Sequence, residues 1–239
     1  MVYTQHLCAR CGSAHIRRNG TQGSQPKYQC KACGYQARFV PAAVAKAAQY
    51  AQVEALLTER NSQRSIVRAT GVARMTIAKL IKKAALASPR LPRRRTKKAQ
   101  RRKPEAPELD ELWTFVGRRR RKVWLWLAVE RASRRIVAWV LGCRGAATAT
   151  RLWAALPRRY RHHCRYHTDQ WAAYAKVLPA HHHRPHPKGS GKTNIVEAIN
   201  CSLRQRCGVL VRQSCSFSKS LRTHTARIKI VIDNYNLTL

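Results

Sequence analysis

Three acidic residues in the C-terminal half of the chain, Asp110, Asp169 and Glu197, are candidates for catalytic chemistry. Acids are scarce here, because 10 Asp and Glu stand against 48 Lys and Arg. A surface that binds nucleic acid should exclude carboxylates, so those that remain either pair with Arg or bind a divalent cation. Carboxylates that hold two Mg²⁺ ions against a phosphodiester form the usual core of a two-metal phosphoryl-transfer site. We predict such a site, with three separate Arg-paired acids as the alternative.

Four cysteines near the N-terminus have the spacing of a metal site. They form two C-x₂-C pairs, Cys8 with Cys11 and Cys30 with Cys33, and two short strands are predicted between the pairs. Four thiolates satisfy the tetrahedral preference of Zn²⁺. A segment this short buries too little surface to fold alone, so the metal must stabilise it. We predict a structural zinc ribbon over 1–41. Redox-active pairs are the alternative, but the sequence lacks the βαβ pattern that surrounds them.

The next segment, 42–87, has the pattern of a helix-turn-helix domain. An Ala-rich helix is predicted over 42–57, a short helix over 63–69 and a second helix over 73–86, with a turn at Gly71. Helix, glycine-centred turn and helix is the order found in DNA-binding helix-turn-helix domains. The alternative is an ordinary helical hairpin with a solvated basic face.

Several basic and polar residues are predicted DNA contacts. In the groove-reading geometry, Arg74 and Thr76 at the start of the second helix face base edges, and Lys79 and Lys82 face phosphates. The remaining candidates lie in the ribbon and near Glu197, and they are Arg17, Arg18, Lys192, Arg204 and Arg206.

The charge of the whole chain predicts a polyanionic partner. The formal net charge is +38, the isoelectric point is about 11.3, and 44% of residues are hydrophobic, so the chain is a globular polycation. DNA or RNA is the simplest partner, and an anionic membrane is the rival. No stretch approaches the ~20 apolar residues of a transmembrane helix. We expect a cytoplasmic, nucleoid-associated protein that does not bind membranes.

A basic, Pro-rich linker over 88–107 is predicted to separate the N-terminal modules from a catalytic domain over 108–239. Hydrophobic patterning in that domain predicts three antiparallel strands first, followed by helix, strand, helix, strand and helix. This is the order of the RNase H-like α/β fold, with a mixed sheet. The predicted elements are strands at 108–116, 123–129, 136–141, 164–168 and 181–186, and helices at 148–156, 171–178 and 192–206.

Several motifs, taken together, resemble those of one family. Beside the C-x₂-C pairs and the helix-turn-helix, they are Leu-Asp-Glu-Leu-Trp-Thr-Phe-Val-Gly at 109–117, Thr-Asp-Gln-Trp at 168–171, Glu197 followed by Leu-Arg-Gln-Arg at 203–206, and Ser-Phe-Ser-Lys-Ser at 216–220. Over essentially its whole length, the chain resembles a transposase of the insertion sequence 1 family. The sequence departs from the usual pattern at Gln170, where a Gly more often follows the Asp.

The resemblance implies an Asp-Asp-Glu transposase that cuts and rejoins DNA at the terminal inverted repeats of its element, with Mg²⁺. Asp110, Asp169 and Glu197 match the Asp-Asp-Glu positions, and Asp233 is the C-terminal candidate for a fourth acid. Synapsis of two DNA ends implies a homo-oligomer, at least a dimer. The alternative function is a sequence-specific DNA-binding regulator with an inactive C-terminal domain.

Overall fold

The computed structural model describes residues 7–23, 25–38, 42–87 and 106–239, with the backbone alone at 42–45. The chain divides into two compact units, and the boundary between them falls between Gln52 and Val53 in the sequence. The predicted linker lies outside the described residues except for its last two positions. Pro107 already belongs to the first strand of the C-terminal sheet. No helix in these ranges is long and apolar enough to cross a membrane.

The cysteine-rich segment forms a three-stranded antiparallel sheet. Its strands are β1 (Ile16–Gln22), β2 (Gln25–Cys30) and β3 (Gln36–Ala37), in that spatial order. The two strands predicted between the cysteine pairs are present. The two-residue β3 was not predicted, because so short a strand has no periodicity to detect.

Three helices follow, α1 (Ala42–Leu57), α2 (Gln63–Thr70) and α3 (Arg74–Leu86). The hydroxyl of Ser62 caps α2 by accepting a hydrogen bond from a backbone amide of its first turn, at 3.0 Å. Gly71 ends α2 in the left-handed conformation, with φ of 69°, which glycine adopts without a steric penalty. The turn between α2 and α3 therefore lies where the sequence predicted it.

The C-terminal sheet has five strands in the order β6-β5-β4-β7-β8. Strands β4 to β6 are antiparallel neighbours, whereas β7 runs parallel to β4 and β8 runs parallel to β7. The strands are β4 (Pro107–Phe115), β5 (Lys122–Glu130), β6 (Ile136–Gly142), β7 (Tyr166–Thr168) and β8 (His183–Pro185). The mixed sheet with three antiparallel strands first is thus confirmed.

Helices cover both faces of this sheet. They are α4 (Ala146–Ala155), α5 (Arg158–His163), α6 (Ala172–Ala175), α7 (Asn194–Arg206) and α8 (Leu221–Leu237). The short α5 was not predicted, and the helix expected over 171–178 is reduced to the four residues of α6. Helix α3 packs against α8.

An apolar layer lies on each face of the sheet. Because side chains alternate along a strand, the two neighbouring acids of β4 lie on different faces. Leu112 packs in the layer under α7 and α8, and Leu109 packs in the layer under α4, α5 and α6. Asp110 shares the face of Leu112, whereas Glu111 shares the face of Leu109. The two adjacent carboxylates of β4 therefore leave the strand on opposite sides.

Candidate active site

Asp110 and Asp169 come together from two parallel neighbouring strands. Asp110 lies in β4, and Asp169 directly follows β7. Oxygen atoms of Asp110, Glu111 and Asp169 lie within 4.8 Å of one another, which suits a single metal ion. The backbone amide of Trp171 donates to Asp169 Oδ1 at 3.1 Å and so fixes the direction of that carboxylate.

The electrostatic environment of Asp110 is unfavourable to its charge. Burial raises the pKa of this carboxyl to about 7, and the nearby charges of Glu111, Asp169 and Glu197 add to the increase. A divalent cation would reverse both effects, because it compensates the buried charge and offsets the repulsion between carboxylates. The arrangement is therefore suited to bind a hard cation through oxygen.

Asn200, which was not predicted from the sequence, contacts the first of these acids. This residue of α7 is buried, and its Nδ2 donates to Asp110 Oδ2 at 2.6 Å. Its position three residues after Glu197 places both on one helical face, and that spacing is the signal that could have identified it. Asn200 orients the carboxylate of Asp110 without adding charge.

Glu197 lies outside the group of three acids. It sits in the first turn of α7 with an exposed side chain, and it accepts a hydrogen bond from Thr193 Oγ1 at 2.9 Å. Its charge still reaches Asp110, since it contributes to the raised pKa of that residue. Asp233, the candidate fourth acid, forms an ion pair with Lys229 within α8.

Glu111 is held by partners on the opposite face of the sheet from Asp110. Arg144 Nε lies 2.8 Å from its Oε1, and the Tyr174 hydroxyl donates to Oε2 at 2.9 Å. Arg144 is held in turn between Trp124 and Trp171, with its Cζ 4.7 Å and 4.0 Å from the two ring centres. Both oxygens of Glu111 therefore have a partner, although this residue also belongs to the group of three acids whose oxygens lie within 4.8 Å of one another.

The four N-terminal cysteines converge on one point. Cys8 Sγ lies 3.6 Å from Cys33 Sγ, and Cys11 Sγ lies 3.6 Å from Cys30 Sγ. All four sulfurs lie within 4.8 Å of one another. Hydrogen bonds from backbone amides lower the pKa of Cys30 to about 6, which favours the thiolate that metals bind. This cluster could hold a tetrahedral metal ion.

The predicted DNA contacts are distributed over the cysteine-rich sheet, α3 and the region of α7. Six of them are exposed, namely Arg17, Arg18, Arg74, Lys79, Lys82 and Lys192. Thr76, Arg204 and Arg206 are half-buried. Arg204 is notable because burial lowers its pKa and its Nε has no hydrogen-bond partner within the described residues.

The C-terminal part of the chain is similar to known proteins. Residues 106–237, which include all the acids of the site, match the family model described as IS1 transposase. The chain belongs to the IS1 transposase family. The matched segment begins after the cysteine cluster and the three N-terminal helices, so it says nothing about the role of those regions.

Three IS1 relatives illustrate the extent of the similarity. The insertion element IS1 protein InsB of Shigella flexneri is 37% identical over 117 residues, which are 49% of this chain and 86% of that protein. The iso-IS1n protein InsB of Shigella dysenteriae is 32% identical over 129 residues, 54% of this chain and 94% of that protein. The IS1 4 protein InsB of Escherichia coli K12 is 36% identical over 117 residues, 49% of this chain and 67% of that protein.

Proposed function

We propose that this transposase cleaves DNA at the terminal inverted repeats of an insertion sequence and joins the freed ends to target DNA. Asp110, Asp169 and Glu197 are its Asp-Asp-Glu residues, on an RNase H-like domain. The observation that carries the proposal is the approach of Asp110 and Asp169 across two adjacent parallel strands. Membership of the IS1 transposase family supports the reaction class.

The acids of the site fit Mg²⁺, because they offer hard oxygen ligands and a buried carboxyl whose charge lacks compensation. When bound there, Mg²⁺ would activate a hydroxyl nucleophile and stabilise the charge that develops on the leaving oxygen. The protein's part is positioning. Asn200 holds Asp110 and the amide of Trp171 holds Asp169, while Glu197, exposed on the first turn of α7, would complete the ligand set.

The N-terminal regions would supply DNA recognition. The cysteine cluster fits Zn²⁺, since a tetrahedron with Zn–S bonds of about 2.3 Å has sulfurs about 3.8 Å apart, close to the 3.6 Å found here. In the helix-turn-helix reading, exposed Arg74 begins α3 and faces base edges, and Lys79 and Lys82 neutralise phosphates. The domain boundaries proposed for these modules are 1–41 and 42–87. Two DNA ends held together would require at least a dimer.

The test is Asp169→Asn in the full chain, with end-labelled terminal-repeat DNA and Mg²⁺. Cleavage and strand joining should be abolished, because a metal loses an anionic ligand. DNA affinity should hold or rise, because repulsion between the carboxylate and phosphate is removed. Glu130→Gln is the control, since Glu130 is bound by Ser133 and Tyr160 away from the acid group.

Two outcomes would contradict the proposal. Cleavage by Asp169→Asn at the wild-type rate would remove Asp169 from the catalytic set. Binding of the repeat by the wild-type chain without cleavage under any divalent metal would favour the DNA-binding regulator.

A further inference from the structure

A basic cavity of about 500 Å³ opens beside the acid group. Its lining includes four basic residues, Arg131, Arg165, Arg184 and Lys192, and three histidines, two of which, His167 and His186, form a pair. None of the described lining residues is acidic. The cavity is therefore a site of positive potential.

Buried contacts fix the walls of this cavity. Glu108, which was not among the residues predicted from the sequence, is fully buried behind it. Its Oε1 forms an ion pair with Arg131 Nε at 3.0 Å without hydrogen-bond geometry, and its Oε2 accepts from the Val196 amide at 2.9 Å. The carboxylate of Glu108 neutralises Arg131. The described lining offers no carboxylate to neutralise the other three cations.

The two histidines form a rigid side of the cavity. Their rings stack with centres 5.0 Å apart at an angle of 6°, and His167 Nδ1 lies 2.7 Å from His186 Nε2. The amide of His186 donates to the Thr168 carbonyl at 2.9 Å, which ties the segment after β8 to β7. His183, the first residue of β8, is buried, and its Nε2 lies 2.8 Å from Thr168 Oγ1.

Strand register sets the distance between the cavity and the acid group. Glu108 pairs with His167 across the parallel strands β4 and β7. Asp110 and Asp169 come two residues later along their respective segments, so their backbones lie roughly 6.6 Å further along the strand direction than the Glu108–His167 pair, at about 3.3 Å per residue. Successive phosphates of one DNA strand rise about 3.4 Å along the helix axis. A strand that crosses the acids would therefore place a phosphate one or two nucleotides away at the cavity.

We propose that this cavity binds one backbone phosphate of the DNA, one or two nucleotides from the phosphodiester that is cut. The inference rests on the proposed function, because it takes the acid group as the place of cleavage. The contact would fix the register of the strand, so that one phosphodiester and not its neighbour lies against Asp110 and Asp169. Phosphate contacts commonly position a duplex in this way without reading its sequence.

The experiment combines a protein change with a DNA change. Arg165→Ala/Arg184→Ala and wild type, both as full chains, are titrated with terminal-repeat duplexes in Ca²⁺. Each duplex carries one uncharged methylphosphonate within three nucleotides of the cleavage position. In wild type, one or two adjacent substitutions should weaken binding by about tenfold, the size of one charge-assisted hydrogen bond. In the double variant, unmodified DNA should bind about tenfold more weakly, and the same methylphosphonates should have no further effect.

The controls separate the contact from general charge and from misfolding. Arg158→Ala removes an exposed cation of α5 outside the cavity, and it should keep the full methylphosphonate effect. Arg165→Lys/Arg184→Lys should recover most of the affinity, and its thermal melting should match that of wild type. The slope of log affinity against log salt should fall by about 0.9 in the alanine variant for the phosphate contact that is lost.

Three results would overturn the inference. Methylphosphonates that weaken both proteins equally would place the phosphate elsewhere. A loss of affinity that is the same at every methylphosphonate position would mean that the cavity attracts DNA only through its general charge. If inorganic phosphate raises the melting temperature of wild type alone while no methylphosphonate matters, the cavity takes a free phosphate and not DNA. A position-specific effect in a wild-type chain that never cleaves would leave the cavity in place and reject the proposed chemistry.

Discussion

Asn200 donates a hydrogen bond of 2.6 Å to Asp110, and this bond ties helix α7 to the strand that carries the first acid of the candidate site. The two residues are 90 positions apart in the chain. Since Asn200 is neutral, it orients the carboxylate and leaves its charge available to a cation. Glu197 lies on the same helix, so α7 carries one of the three predicted catalytic residues and holds the side chain of another.

We expect Asn200→Ala to reduce Mg²⁺-dependent cleavage by about tenfold to a hundredfold, since hydrogen bonds to charged groups contribute about 1.5–3 kcal/mol. The apparent Mg²⁺ requirement should rise together with the loss of rate, because Asp110 is no longer held in place. The assay is single-turnover cleavage over a range of Mg²⁺ concentrations. Gln205→Ala, an exposed change on the same helix, is the matched control. Activity of Asn200→Ala within twofold of wild type would exclude the orienting role.

The free energy of unfolding of the metal-free protein should decrease as pH rises. The pKa of Asp110 is about 7 in the folded protein against an ordinary value of 3.8. The folded state therefore binds more protons than the unfolded state within that window, and its stability is lost as pH rises through it. Asp110→Asn should remove this dependence on pH. Each unit of difference between the folded and unfolded pKa changes the free energy of unfolding by about 1.4 kcal/mol.

The measurement is denaturant unfolding without added divalent metal at about pH 5 and about pH 8. The difference in bound protons between the folded and unfolded states is large at the lower pH and small at the higher pH. The difference between wild type and Asp110→Asn isolates this carboxyl from the titration of the histidines. Added Mg²⁺ should diminish the difference at the higher pH. A pH dependence that is identical in the two proteins would show that burial does not shift Asp110.

Purified protein should contain about one Zn²⁺ per chain, because four thiolates saturate one tetrahedral ion. Cys30→Ser should lose that zinc and weaken DNA binding, while circular dichroism should still show the C-terminal sheet and helices. The exposed Cys215→Ser serves as the control and should keep the metal. Elemental analysis of a preparation made without chelators decides the matter, and absence of zinc would reject the four-cysteine site.

Arg74 and Lys82 should differ in what they contribute to DNA binding. Arg74→Ala should reduce the preference for the terminal repeat over random DNA by about 1–3 kcal/mol if its side chain contacts a base edge. Lys82→Ala should weaken binding to both DNAs about equally and make the salt dependence shallower. Competition titrations at two salt concentrations separate the two effects. An equal loss on both DNAs for Arg74→Ala would mean that other residues of α3 make the base contacts.

The sequence by itself determined the local features of this protein. The C-x₂-C spacing brings two thiols together within a turn, Gly71 marks the end of a helix, and alternation over 108–116 defines a strand with its two faces. Each of these follows from interactions among residues close in the chain, where spacing translates directly into geometry. The scarcity of acids then directed attention to Asp110 and Asp169, and the structure brings their carboxylates together.

Only the tertiary structure decided which distant side chains meet. The pairing of β4 with β7 sets Glu108 beside His167, and from that register follow both the approach of Asp110 to Asp169 and the position of the basic cavity. Sequence periodicity assigns a side chain to a face, but it does not fix the order or register of strands joined by long connections. For that reason the contact of Asn200 with Asp110 and the burial of Glu108 behind Arg131 were not predicted, although every residue involved is visible in the sequence.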